Sequence, residues 1–161
     1  MRSVLTFILF SLALLICCIF VLLDRMYELD LQSSIYSSYH EAQADGIFDR
    51  GWIPHFIPVS SHHILEVHNV DTNEICAQFT IDPLAEGSFM TELRRQGFDT
   101  YEGAAPPPRQ FSSAKPCPFG AEELRSIRKI LWKPEQGRKA HSYFAFGRQA
   151  AIVYYWVVYD A

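Results

Sequence analysis

The pattern of apolar and polar positions divides the chain into one long apolar run and a longer part of mixed character. Residues 3–23 contain no charged residue and are rich in Leu, Ile, Phe and Val. A helix of this length would span roughly 30 Å of hydrocarbon. The pattern predicts a transmembrane anchor over residues 1–25, inserted in the lipid bilayer through residues 4–23, followed by a single extracytoplasmic domain over residues 26–161.

The residues that flank the apolar run predict whether it is cleaved and how it is oriented in the membrane. The run is longer than a secretory h-region and no small-residue cleavage site follows it, which favours an uncleaved anchor over a signal peptide. A lipoprotein signal is the weaker alternative, because Ile16 rather than a small residue precedes Cys17. Arg2 stands in an N-terminal flank without acids, so the positive-inside rule places the N-terminus in the cytoplasm. This orientation places the domain outside the cytoplasm, in the periplasm if the host is Gram-negative.

The spacing of the apolar residues after this run predicts that the helix continues. Tyr27, Leu31, Ile35 and Tyr39 are spaced by four, which places them on one helical face, and Gly46 suits a helix end. This apolar stripe would pack on the domain itself or, alternatively, on a second copy in a homodimer. Residues 47–61 then predict an ordered but irregular connection, because prolines interrupt its apolar residues.

Local signals define the remaining elements. Asp71-Thr72-Asn73 predicts a tight turn, Asp82-Pro83 a helix start and Gly97 a helix end. The predicted strands are residues 64–70, 74–81, 141–146 and 150–159, and the predicted helices are residues 83–96 and 121–131, with a proline-rich loop over residues 99–119. The expected fold class is α+β, with a small antiparallel sheet of about four strands in two hairpins and with helices packed on one face.

Composition and cysteine usage narrow the classes of protein that fit. Apolar residues make up 49% of the chain and aromatic residues 14%, which excludes a disordered or low-complexity protein. Cys17 and Cys18 lie in the apolar run as small apolar residues. Cys76 and Cys117 are the other two cysteines, and an oxidising compartment would allow a disulfide between them, whereas in the cytoplasm both would be free thiols.

Charge is distributed unevenly along the chain. Residues 24–102 carry 14 acids and 4 bases (net −10), residues 103–161 carry 9 bases and 4 acids (net +5), and Arg2 completes the total of −4. The basic residues either form a solvated surface or face anionic lipid or an acidic partner. Nucleic acid is not an expected partner of an acidic domain outside the membrane. Eight residues are the candidate interaction sites: Trp52, Pro54, Phe56, Pro58, Arg125, Arg128, Lys129 and Lys133.

Histidines offer the second kind of candidate chemistry. Five of the six histidines lie between residues 40 and 68, and His62, Ile64, Glu66 and His68 would share one face of a strand. His62, His68 and Asp71 could serve a hydrolase or a metal-binding enzyme, but their spacing matches no metal motif. We therefore expect no metal and no cofactor, and the sequence identifies no catalytic residue.

One segment resembles a known group of proteins. Four short stretches carry the resemblance: Gly51-Trp52-Ile53-Pro54, Pro58-Val59-Ser60, Ile64 and Asp71-Thr72-Asn73. They are similar to a segment of small bacterial single-pass, membrane-anchored envelope proteins without assigned function. Ser61 stands where that group usually has alanine. The similarity covers residues 46–81 and implies a bacterial envelope setting, with the anchor in the bacterial inner (cytoplasmic) membrane and the domain periplasmic or extracellular. It transfers no catalytic residue.

Together these features predict a non-enzymatic protein-interaction module of the bacterial envelope with a protein partner there. The alternatives are a small periplasmic hydrolase or metal-binding enzyme that uses the His62, His68 and Asp71 region, and an inhibitor or immunity-type protein.

Overall fold

An antiparallel sheet is the centre of the fold. The computed structural model describes residues 2–103, 106–108, 117–137, 139–148 and 151–159. Its strands are β1 (Leu31–Ser38), β2 (His62–Asn69), β3 (Ile75–Thr80), β4 (Asp99–Thr100), β5 (Ile127–Pro134), β6 (Ala140–Gly147) and β7 (Ile152–Tyr159). Its helices are α1 (Arg2–Asp30), α2 (Tyr39–Ala44), α3 (Glu86–Arg95) and α4 (Ala121–Arg125), with a 3-10 turn at Pro83–Ala85.

The strand order corrects the predicted fold class. The seven strands formed by the described residues lie in the order β1-β2-β3-β7-β6-β5-β4, and every neighbouring pair is antiparallel. The prediction of about four strands in two hairpins is therefore wrong. The four predicted strands correspond to β2, β3, β6 and β7, and the sequence analysis missed β1, β4 and β5.

Strand β1 replaces most of the helix predicted to run to Gly46. Helix α1 ends at Asp30, and residues 31–38 pair with β2 in a continuous register from Leu31–Asn69 to Ser38–His62. Four serines in these eight residues favour a helix only weakly, whereas strand pairing buries Leu31 and Tyr36 in the fold. Only the short helix α2 follows, and the Ser38 side chain caps its start.

Strand β5 likewise replaces most of the helix predicted over residues 121–131. Helix α4 ends at Arg125, and residues 127–134 pair with β6. The spacing of Leu124, Ile127 and Leu131 fits a helix, but Ile127, Ile130 and Trp132 also fit a strand, and pairing with β6 decides between the two. Leu124 of α4 packs on the opposite face of the sheet from α3, so the prediction of helices on one face only is also wrong.

The predicted membrane anchor requires a correction as well. Within the described part of the chain, we find no helix that combines the length and the apolar character needed to span a bilayer. The predictions of a transmembrane helix over residues 4–23 and of an inner-membrane location are therefore not supported.

Other predicted elements are confirmed. Asn69 Oδ1 accepts hydrogen bonds from the N–H groups of Asp71 and Thr72, both at 2.9 Å, which closes the turn between β2 and β3. Asp82 Oδ1 accepts from the Leu84 N–H at 2.9 Å at the start of the next helical segment, as expected of an N-cap. The C-terminal hairpin is present as β6 and β7, although Gln149 of its predicted turn at residues 147–149 and Ala150, the first residue of the predicted strand, lie outside the described residues.

Two hydrophobic cores lie on the two faces of the sheet. On one face, which we call the helix-covered face, Ile64, Phe79, Phe144 and Phe146 pack against α2, α3 and residues 46–58. On the opposite face, Tyr143, Tyr154 and Trp156 pack against Phe119 and Cys117. The predicted irregular connection is confirmed, since Ile53 and Ile57 within it are buried in the first core.

Candidate functional site

The candidate site lies on the helix-covered face where β1 and β2 meet. Gln32 of β1 pairs with His68 of β2, and Ser34 pairs with Glu66. Directly paired residues of antiparallel strands point to the same face of a sheet, so these four polar side chains share one surface. Alternation within β2 thus brings a histidine and a carboxylate together at positions two apart.

Trp52 covers this polar surface. The segment that carries Trp52 turns back over the sheet at Gly46 and Gly51, both with φ of +78°, a conformation that glycine adopts without strain. The backbone N–H of Trp52 donates to the Ile47 carbonyl at 3.3 Å, and the next residue, Ile53, is buried in the core. The indole stacks on the His68 imidazole with ring centroids 3.8 Å apart and an angle of 18° between the rings. Trp52 is therefore held in place by the fold itself.

Glu66 and His68 form a buried acid–imidazole pair. His68 Nδ1 is hydrogen-bonded to Glu66 Oε1, and the two residues are 6% and 1% exposed. Burial raises the pKa of Glu66, while the hydrogen bond to His68 partly opposes this effect. Glu66 Oε2 has no hydrogen-bond partner among the described residues. The pair fixes the orientation of the imidazole on which Trp52 rests.

Arg50 flanks the same surface. Its guanidinium donates to the Asp45 carbonyl at 2.6 Å and to Asp45 Oδ2 at 2.5 Å, and Tyr36 Oη donates to the same Oδ2 at 2.7 Å. These bonds, first that from Tyr36 and then that from Arg50, lower the pKa of Asp45. Because the Arg50 side chain remains 49% exposed, its other N–H groups are available for a binding partner.

These residues enclose an open groove of about 490 Å³. We call it the Trp52 groove, and its lining residues are Gln32, Ser34, Arg50, Trp52, His68 and Val70. A smaller cavity of about 210 Å³ also reaches Arg50 and Trp52, and β7 residues Tyr155 and Val157 contribute to it. The groove therefore offers an aromatic wall, a half-exposed cation and neutral polar groups.

The other predicted residues of the Trp52 to Pro58 segment serve the fold more than a surface. Phe56 is half-buried and packs against the Phe98 and Phe144 rings, with centroids 6.3 and 6.1 Å away. Pro54 and Pro58 are half-buried beside it. Of the four predicted interaction residues in this segment, Trp52 is the one that lines the groove.

The four predicted basic interaction residues lie in different surroundings. Arg125 ends α4 and is exposed. Arg128 donates to the Gly147 carbonyl and to Glu86 Oε2, both at 2.8 Å, so its charge is already paired. Lys133 lies 4.9 Å above the Phe98 ring, and Lys129 is half-buried. Arg128 and Lys129 both line one cavity of about 290 Å³, together with Tyr101 and Leu124.

The structure does not bring His62, His68 and Asp71 into one hydrogen-bonded group. His62 Nδ1 bonds to the Ser60 carbonyl, and the Asp71 N–H belongs to the turn after β2. Glu66, rather than Asp71, is the carboxylate bonded to His68. No group of three or more His, Cys, Asp or Glu residues in the described ranges is arranged to hold a metal ion.

Glu66 and Arg50 were not among the predicted site residues. The alternation of His62, Ile64, Glu66 and His68 predicted that Glu66 shares a face with His68, but the carboxylate named for the site was Asp71. No local signal marks Arg50, because the turns at Gly46 and Gly51 bring it to the sheet.

Cys76 and Cys117 are joined in a disulfide on the opposite face of the sheet. Their Cα atoms are 5.8 Å apart and both residues are buried. The bond connects β3 to the segment before α4. It lies in the second core and takes no part in the Trp52 groove.

Glu66 gives the site a predicted pH dependence. Above pH 4.5, the carboxyl group ionises in the unfolded chain, while in the folded chain it stays protonated up to its raised pKa. Its contribution to stability is therefore complete below pH 4.5 and is lost as pH rises through the folded pKa. We expect Glu66→Gln to remove this loss, which urea unfolding of both proteins at a series of pH values from 4.5 upward would measure.

The matched control for this experiment is Glu92→Gln. The Arg95 and Gln96 side chains lower the pKa of Glu92 to about 2, so Glu92 is ionised in the folded chain throughout the same range. In the unfolded chain Glu92 still binds protons near its ordinary pKa of 4.5, so its contribution to stability rises slightly as the pH increases from 4.5 and then stays constant. The Glu66 contribution should change in the opposite direction, and a stability difference between wild type and Glu66→Gln that does not fall with increasing pH would contradict the prediction.

One part of the chain is similar to a known protein family. Residues 30–80 match the model of the YbbD head domain family, which spans β1, α2, β2 and β3 and therefore most of the Trp52 groove. This is about a third of the chain, and in functional terms it supports no more than a bacterial envelope-associated protein of unassigned activity. No curated protein and no solved structure matches the chain.

Proposed function

We propose that the chain is a non-enzymatic protein-interaction module associated with the bacterial envelope, and that a side chain of its protein partner enters the Trp52 groove. The YbbD head domain match supports the envelope setting and coincides with the part of the chain that builds the groove. The basic residues of β5 and α4 are not part of this proposal, because they lie elsewhere.

The observation that carries the proposal is the fixed position of Trp52 beside Arg50. Tryptophan and arginine are among the residue types that contribute most to protein interfaces. Here the buried His68–Glu66 pair supports the indole, and Asp45 orients the guanidinium. A site that is ordered before binding loses less conformational entropy when a partner arrives.

The same geometry favours binding over catalysis. His62 and Asp71 do not join His68, so the triad considered for a hydrolase is not assembled. His68 is 6% exposed and lies under Trp52, which suits a supporting role. We therefore assign the pair to positioning of Trp52.

Site-specific photocrosslinking tests the proposal, with the whole chain produced in a bacterial host. A photoreactive phenylalanine analogue at Val70, which lines the groove and is 46% exposed, should crosslink a discrete envelope protein that mass spectrometry identifies. The same analogue at Leu84, which is 92% exposed and is not part of the groove, is the control. An identical set of adducts at both positions would contradict the proposal.

The groove should also determine affinity for the identified protein. Arg50→Gln is expected to weaken binding about 30-fold, the effect of losing about 2 kcal/mol at an interface centre. Arg94→Gln, at an exposed arginine of α3, should leave the dissociation constant unchanged. Titration calorimetry measures both, and equal affinities for the two variants would overturn the role of Arg50.

A further inference from the structure

Strand β1 is the outer strand on one side of the sheet. It is the first strand in the order β1-β2-β3-β7-β6-β5-β4, and no described strand pairs with its outer side. It is eight residues long, whereas β4 at the other side has only two. An edge of this length can accept a further strand by backbone hydrogen bonding.

Hydrogen-bond alternation shows which part of β1 is open. The Val70 N–H donates to the Asp30 carbonyl at 3.0 Å, and in an antiparallel pair bonded positions alternate. Even-numbered residues of β1 therefore bond to β2, while the N–H and C=O groups of Ser33 and Ile35 point outward. The Ser37 N–H also points outward, but Glu41 Oε2 accepts its hydrogen bond at 2.7 Å and so ends the open edge.

The open edge lacks the features that usually prevent strand addition. The sequence of β1, LQSSIYSS, contains no charged residue and no proline. Its central apolar side chain, Ile35, is 73% exposed. Natural edge strands are commonly protected by lysine, by proline or by a bulge, and none of these is present in β1.

From these observations, we propose that β1 pairs antiparallel with β1 of a second copy of this chain. A two-fold axis through this edge places the uncharged β1 sequences of the two copies beside each other, with both Ile35 side chains on the same face, so no like charges meet. Gln32 and Ser34 lie between the edge and the Trp52 groove. The second copy therefore extends the wall of the groove with its own Gln32 and Ser34 and joins the two grooves.

Cysteine crosslinking of the full-length protein in detergent tests this pairing. In a background with Cys17→Ser and Cys18→Ser, single cysteines are placed at Ser33, Ser34 or Ile35. At least one should form disulfide-linked dimers about 100-fold faster than Leu84→Cys, because pairing raises the local thiol concentration from about 10 µM to the millimolar range. The fastest position identifies the register of the two strands.

Backbone variants separate strand pairing from general association. Ser33→Pro removes an outward N–H and should reduce the crosslinking rate to that of Leu84→Cys, whereas Ser33→Ala should not. If Ser33→Pro fails to fold by circular dichroism, Ile35→Lys replaces it and places like charges opposite each other in the pair. Association through the apolar residues 3–23 would crosslink all positions alike.

Two outcomes overturn the proposal. The first is a crosslinking rate at all three β1 positions no greater than at Leu84. The second is a fast rate that neither Ser33→Pro nor Ile35→Lys reduces. Neither outcome affects the proposed function, because capture of a partner at Val70 does not require a second copy.

Discussion

Replacement of Phe144 by alanine is expected to lower the free energy of unfolding by about 3–5 kcal/mol. Phe144 is fully buried in β6, and its ring centroid lies 4.7 Å from that of Tyr155, 5.2 Å from that of Phe98 and 5.6 Å from that of Phe89. These rings come from the sheet, from α3 and from the residue after its C-terminal turn, so none of them can move inward to fill the space. The loss therefore includes both the transfer term and a cavity term.

Urea unfolding followed by fluorescence measures this effect. The control is Leu84→Ala, because Leu84 is 92% exposed and its replacement should change stability by no more than about 0.5 kcal/mol. A Phe144→Ala protein as stable as the Leu84→Ala protein would show that the core on the helix-covered face is not packed as described.

The second large effect concerns the disulfide between Cys76 and Cys117. The double variant Cys76→Ala, Cys117→Ala should lose about 4 kcal/mol in oxidising buffer, since the bond closes a separation of 41 residues and restricts the unfolded chain. The measurement is urea unfolding of both proteins with and without a reducing agent. Reduction should lower the stability of the wild type by a similar amount and leave the variant unchanged.

Thiol counting in the denatured, unreduced protein gives an independent check. With the bond present, two of the four cysteines, Cys17 and Cys18, react with a thiol reagent. The variant Cys17→Ser, Cys18→Ser is the matched control for removal of cysteine without removal of the bond, and its stability should equal that of the wild type. Four reactive thiols in the wild type would contradict the pairing.

The sequence predicted the elements whose signals are local. The turn after β2 forms because Asn69, Asp71 and Thr72 hydrogen-bond within a few residues of each other. The helix after Asp82 begins where a carboxylate caps it. Such signals depend on neighbours in the chain, and a sequence shows these directly.

Strands β1 and β5 were missed because their apolar residues are spaced as in a helix. Residues 31–38 contain an apolar spacing of four that fits a helix, and only the pairing with β2, about 30 residues away, makes them a strand. The partner of β5 is near in the chain, and β5 was missed because Leu124, Ile127 and Leu131 are spaced as on one face of a helix. Secondary-structure prediction from one sequence does not include the pairing between strands.

The candidate site was predicted in part for the same reason. Trp52 and His68 were both candidates, but in different hypotheses, one for an interaction surface and one for an enzyme. The stacking of their rings joins them into one site, and this contact depends on how residues 46–58 fold back over β2. Arg50 could not be predicted, because its position depends on the same fold-back.

The position of β7 has a consequence for how the protein is made. Strand β3 pairs with β7 along its inner side, yet residues 75–80 are synthesised long before residues 152–159. The inner edge of β3 therefore stays unpaired after its synthesis until residues 81–159 have also left the ribosome. During that interval the unpaired N–H and C=O groups of β3 can pair with other chains, so slow completion of this sheet favours aggregation.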